Sequence, residues 1–208
     1  ARALIANDEV TRSLPLLEAA VRQAHADGPD QDELRVEIEA NLAVLKFRVG
    51  RRTYEQTMDS LTRLLHEYPE HESVVLSFAR TSNSAADAPV LRDAINRLGD
   101  GPSPVRQAML RYHLATLEGD NRTAGAAAHD WFESDARDPY AACAAIVSLG
   151  IGLEQWDAAA TVAEYAVEEF SDDPVVINNG AYVLAMSGRA QEAIRLLQSR
   201  ADDDFVIR

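Results

Sequence analysis

The residue types with chemical potential in this chain are five histidines, one cysteine and several runs of carboxylates. His66 and His71 bracket Glu67 and Glu70 in a His-Glu-x-x-Glu-His pattern. A zinc site built this way needs its ligands on one helical face. Pro69 stands inside the pattern and interrupts a helix there, so no metal site is expected. His25 opens the segment His25–Asp30 that breaks the helical pattern, and His129 near Trp131 reads as a packing or surface residue. Cys143 sits in Ala-Ala-Cys-Ala-Ala, where a buried, inert thiol is the expected outcome. Glu37 and Glu39 read as solvated charge. The acidic run Asp202-Asp203-Asp204 lacks the long alternating loop that calcium needs. No nucleophile elbow, phosphate loop or dinucleotide fingerprint occurs. The expectation is no catalytic residue, no metal and no cofactor.

The elements that would carry these residues are helical. Apolar residues make up 47% of the 208, enough for a folded core, and aromatics only 6%. The net charge of -14 repels phosphate backbones and anionic lipid, so neither nucleic acid nor a membrane surface is an expected partner. The single cysteine excludes an intrachain disulfide and suits a reducing compartment, and a cytoplasmic, bacterial-type protein is expected. The chain begins at Ala1 without Met or a signal pattern, and its start reads as the boundary of a fragment.

Pro69, Pro104, Pro139 and Pro174 fall 35 residues apart. Proline suits the first turn of a helix, where its missing N–H has no partner to lose. Ser103, Asp138 and Asp173 stand where a capping oxygen is needed. Equal spacing of helix starts indicates a helical repeat. About five units follow, within residues 31–208, starting near 34, 69, 104, 139 and 174. Ala40, Val75, Leu110, Ala145 and Gly180 recur six residues after each start, and Val44, Ala79, Leu114, Leu149 and Leu184 ten after. Their four-residue separation puts both sets on one face of each first helix. Second helices are expected over 53–67, 87–98, 121–136, 154–170 and 189–200. Gly50, Gly119, Gly152 and Gly188 stand at the turns, where positive φ is required. Residues 1–30 supply one further helix, about 8–26, as a cap or partial repeat.

The last unit resembles the tetratricopeptide repeat family. Asp173-Pro174, Asn178-Asn179-Gly180-Ala181-Tyr182, Ser187-Gly188-Arg189 and Glu192-Ala193-Ile194 match its start, small residue, turn and second helix. Trp156-Asp157-x-Ala159 is similar to another second-helix opening. The resemblance implies an all-α, right-handed superhelical solenoid of stacked antiparallel hairpins. It also implies a groove, lined by the first helices, that holds a protein or peptide.

Mapped onto that implied groove, the contact residues are Asn178, Asn179, Tyr182 and Met186. Ser77, Arg80, Met109, His113 and Tyr140 are the upstream candidates. An Asn both donates and accepts, which suits an extended main chain, and Tyr adds rigid amphipathic area. The paired cations that grip a C-terminal carboxylate in the family are not found: Lys46, Arg80 and Arg106 are isolated in this frame. A helical or apolar partner segment is expected instead. The alternatives are a regulatory or sensor domain of a larger bacterial signalling or transcription protein, and a homodimer formed through the C-terminal end around Phe205, Val206 and Ile207.

Overall fold

The computed structural model describes residues 14–24 and 32–198. Besides a short 3₁₀ helix (Ala85–Asp87) and a π turn, eleven α-helices make up the regular structure among these residues, and no strand occurs among them. They are α1 (residues 14–24), α2 (Asp32–Arg48), α3 (Tyr54–Glu67), α4 (Glu72–Thr81), α5 (Ala88–Leu98), α6 (Pro104–Glu118), α7 (Asn121–Ser134), α8 (Pro139–Val147), α9 (Trp156–Glu169), α10 (Pro174–Met186) and α11 (Ala190–Gln198). The chain divides into two compact units, Ala1–Pro102 and Ser103–Arg208.

In the second unit, consecutive helices pack as antiparallel neighbours from α6 to α11, and α8 also packs directly on α10. In the first unit α2 packs on α3 and on α4, and α4 on α5. Contact with the next helix and the next but one is the signature of stacked hairpins. Each hairpin has an apolar flank that only its neighbour covers. Ala40, Val75, Leu110, Ala145 and Gly180 are all buried, as the six-residue offset demands. Ala79, Leu149 and Leu184 are buried too, while Val44 and Leu114 are half-buried.

Local chemistry sets the helix starts. Pro104, Pro139 and Pro174 are first-turn residues of α6, α8 and α10. The Asp138 carboxylate accepts from the Tyr140 N–H, and that of Asp173 from the Val175 and Val176 N–H groups. Ser103 makes no such side-chain cap. At Pro69 the start is displaced. Proline disfavours helix at the residue before it, and α3 ends at Glu67. Pro69 and Glu70 then form a turn in which Tyr68 C=O accepts from the His71 N–H at 3.1 Å, and α4 begins only at Glu72. In α1, Pro15 lies at the second described residue. The rest of the expected 8–26 helix lies outside the described residues, as does the end of the 189–200 helix.

Gly50, Gly119 and Gly188 have φ of 71°, 72° and 84°, which closes their helices as expected. Gly152 does not. It belongs to a single π turn, Ser148–Gly152, that widens the end of α8, and the left-handed residue of this loop is Glu154 (φ 56°). Helix-to-helix distance in the second unit is set by alanines and glycines. A Cβ on Gly180 would lie 2.6 Å from Val167 Cγ2, and one on Gly125 would lie 2.5 Å from Leu153 Cδ1.

The two glycines should respond differently to alanine. Val167 is β-branched on α9 and has one favoured rotamer, so Gly180→Ala must push α10 off α9. It should cost about 1–3 kcal/mol, partly offset by about 1 kcal/mol of helix propensity. The Leu153 methyl lies at the end of a flexible side chain, so Gly125→Ala should be close to neutral. Urea unfolding followed by circular dichroism reads the difference. Equal midpoints for the two variants would contradict helix contact at Gly180.

Candidate functional site

Helix α10 carries its core on Val176, Ile177, Gly180, Ala181, Val183 and Leu184, all buried. The opposite face presents Asn178, Tyr182 and Met186, spaced by one turn and exposed. Tyr182 remains 47% and Met186 48% accessible, two large side chains exposed one turn apart on the same helix. The Tyr182 ring meets the Trp156 ring edge-on, with centroids 6.3 Å apart. Trp156 opens α9, so this contact joins two neighbouring hairpins. Beside it, Met186 and Ser187 face Glu154–Ala158 across an open depression of about 520 Å³. Its walls combine an indole, a thioether and the carboxylates of Glu154 and Asp157.

A polar seam runs behind that face. The Asn179 side chain hydrogen-bonds the Cys143 thiol of α8. Burial pushes this thiol up to about 11, against the pull of Asn179. Asp173 and Asp138 add to the rise. On α6 the Tyr112 phenol is also shifted upward by burial, against the pull of its hydrogen bond with Ser148, while the Thr116 hydroxyl donates to the Tyr112 main-chain carbonyl oxygen at 2.8 Å. Tyr112, Ser148, Cys143 and Asn179 therefore link α6, the π turn, α8 and α10. A thiol held protonated in this way is a structural group rather than a nucleophile.

The structure sorts the sequence candidates. Asn178, Tyr182 and Met186 share the outer face of α10, and Tyr140, 67% accessible, stands at the start of α8. Asn179 is half-buried and engaged with Cys143, so it is a seam residue and not an open grip for a ligand backbone. His113 is half-buried, with ring centroids 5.1 Å from Tyr112 and 6.3 Å from Trp131. Met109, only 3% accessible, is a core residue of α6. Ser77, 8% accessible, is turned into the core of α4; both leave the set of contact residues. Arg80 is exposed on α4, in the first unit. Trp156 is the residue that sequence reading missed. Its Trp-Asp-x-Ala setting marked a helix opening, and the half-exposed indole reveals its second role only beside Tyr182.

His66 is exposed near the end of α3, whereas the His71 Nε2 lies 3.0 Å from the Glu33 carbonyl oxygen. The two histidines are thus used separately. Among the described residues no group of three or more His, Cys, Asp or Glu side chains could hold a metal ion. None of the helices described is long and apolar enough to cross a membrane.

No protein-family model and no curated protein matches the sequence. Among solved structures, a tetratricopeptide repeat protein from Parabacteroides merdae superposes with a TM-score of 0.57 at 14% identity, over 97% of this chain and 76% of that one. A mutant of MamA matches with a TM-score of 0.44 at 15% identity, over 98% of each chain. The fold is all-α and built of tetratricopeptide-like helix hairpins, a repeat architecture shared at very low identity.

The thiol gives a direct check on the seam. With a pKa near 11, Cys143 exposes on the order of a hundredfold less thiolate at pH 8 than an unperturbed cysteine. Iodoacetamide alkylation of the folded protein, followed by mass spectrometry, should be slower than that of the urea-unfolded chain by a comparable factor. Similar rates for the two states would show that Cys143 is not held as described.

Proposed function

We propose that the second unit is a protein-binding module. Its contact surface is the outer face of α10 with the depression beside Trp156. The observation that carries this reading is the exposed Tyr182–Trp156 pair next to Met186. Tyrosine and tryptophan are enriched among the residues that carry the energy of protein contacts, and methionine adds an adaptable apolar surface. A helix or short peptide with one apolar side chain seated between Trp156 and Met186 fits the depression. Asn178 offers a hydrogen bond further along the outer face of α10. Glu154 and Asp157 favour a segment with basic residues near that apolar anchor. The acidic balance of residues 103–208, where Asp and Glu outnumber Arg about two to one and Lys is absent, supports the same choice. The Tyr112–Cys143–Asn179 seam serves this function indirectly by fixing α6, α8 and α10 in register. No residue of the surface is asked to do chemistry. The C-terminal residues Phe205, Val206 and Ile207, considered for a homodimer, lie outside the described residues.

Removing the two half-exposed side chains should weaken the partner without harming the fold. In Tyr182→Ala/Met186→Ala, affinity for the bound protein should fall by roughly ten- to a hundredfold, while the helical spectrum stays unchanged. The measurement is affinity capture from native extract with the wild-type chain, identification of the retained protein, and titration of that protein against both chains. Equal affinities would remove α10 from the interface.

A further inference from the structure

The chain carries sulfur on three methionines and one cysteine. These are the side chains that peroxides oxidise most readily. The fold treats them unequally. Met58 of α3 and Met109 of α6 are buried, whereas Met186, the last residue of α10, is 48% accessible. Cys143 is half-buried on α8. Its thiol stays protonated beside Asn179, and the thiolate is the reactive form of cysteine. A thioether has no proton to lose, so its reactivity follows access alone.

The surroundings of Met186 suit a change of polarity. The side chain lines the depression that also holds Trp156, Glu154 and Asp157. Behind it the backbone is fixed. The Ser187, Gly188 and Arg189 N–H groups donate to the Val183, Ala185 and Leu184 carbonyl oxygens at 2.9, 3.2 and 2.8 Å. None of these bonds involves the Met186 side chain, so a larger polar group there leaves the helix end closed. At Met58 or Met109 the same change would push a polar oxygen into the core, at a cost in stability.

We infer that Met186 is a modification site, where hydrogen peroxide converts the thioether to a sulfoxide and so changes the wall of the depression beside Trp156. A sulfur lone pair attacks one peroxide oxygen, the O–O bond breaks and the S–O bond forms. The proton on the transferred oxygen passes to the departing one, which leaves as water. Sulfur is oxidised by two electrons, and the peroxide is reduced by two. The product is a polar acceptor on a wall that already carries two carboxylates. The effect on binding rests on the reading of the α10 surface given above. An apolar anchor between Trp156 and Met186 meets a polar oxygen once Met186 is oxidised, and the partner is held less tightly. Methionine sulfoxide reductases, one for each sulfoxide epimer, reverse the change.

The test uses the full isotope-labelled chain, hydrogen peroxide and peptide mass spectrometry. In the folded protein Met186 should gain oxygen roughly tenfold or more faster than Met58 or Met109. In urea the three should react at similar rates. The chain has two tryptophans, so its nitrogen–proton spectrum holds two indole signals. The signal that is missing in Trp156→Phe should shift as Met186 oxidises and return after treatment with both reductases. In Met186→Leu the same peroxide treatment should leave it in place. The inference is overturned if Met58 or Met109 oxidises as fast as Met186 in the folded chain. It is equally overturned if the Trp156 signal stays put, or if it shifts as far in Met186→Leu. These readouts need no partner. A failure of the α10 surface as an interface therefore shows separately, as equal affinities in Tyr182→Ala/Met186→Ala.

Discussion

The structure depends on one constraint: a helical hairpin this short cannot cover its own apolar flank. In the second unit alanines and glycines stand between the larger buried residues Leu110, Trp131, Ile146 and Ile177, so burial there also requires close approach of the helices. Gly180 against Val167 is the tightest expression of this, and at Gly125 a Cβ fits only if the Leu153 side chain moves. Ala141, Ala145, Ala159, Ala163 and Ala166 are buried with almost no accessible surface, which makes α8 and α9 nearly smooth where they meet. Small residues cost little side-chain entropy on burial, and this offsets the modest apolar area that each contributes.

Tyr182, Met186 and Tyr140 are exposed among the described residues, and Trp156 is half-exposed at the junction of two hairpins. The π turn before α9 contributes here. Gly150 lies within it, and a Cβ at that position would lie 3.2 Å from the Trp156 ring. The turn therefore makes room for the indole that shapes the depression. Polar groups between the first helices are matched rather than exposed, with Asn179 on Cys143 and Ser148 on Tyr112. The two units also differ in how they are joined internally. Apart from its apolar core, the first unit relies on long polar side chains: Arg35 bridges Asp32 and Glu39 and lies over the Tyr68 ring, and the Tyr54 phenol reaches Asp87.

The sequence by itself determined the helices and their starts, because those are local decisions. A proline that fixes φ, an aspartate that accepts from the next N–H groups and a glycine that accepts positive φ act within a few residues. Pro104, Pro139 and Pro174 therefore mark helix starts directly, and the six-residue offset to the buried face follows from helical geometry. Pro69 shows the limit, since a proline can end one helix without beginning the next. What only the tertiary structure decided is which side chains share a surface. Met109 and Tyr182 look equally available in a helical pattern, yet one is covered by neighbouring helices and the other is not. Trp156 next to Tyr182, Asn179 on Cys143, and Lys46 on Glu18 all join residues through the packing of separate helices. The rotation and separation of those helices arise from the summed contacts of many small side chains, which no short stretch of sequence encodes.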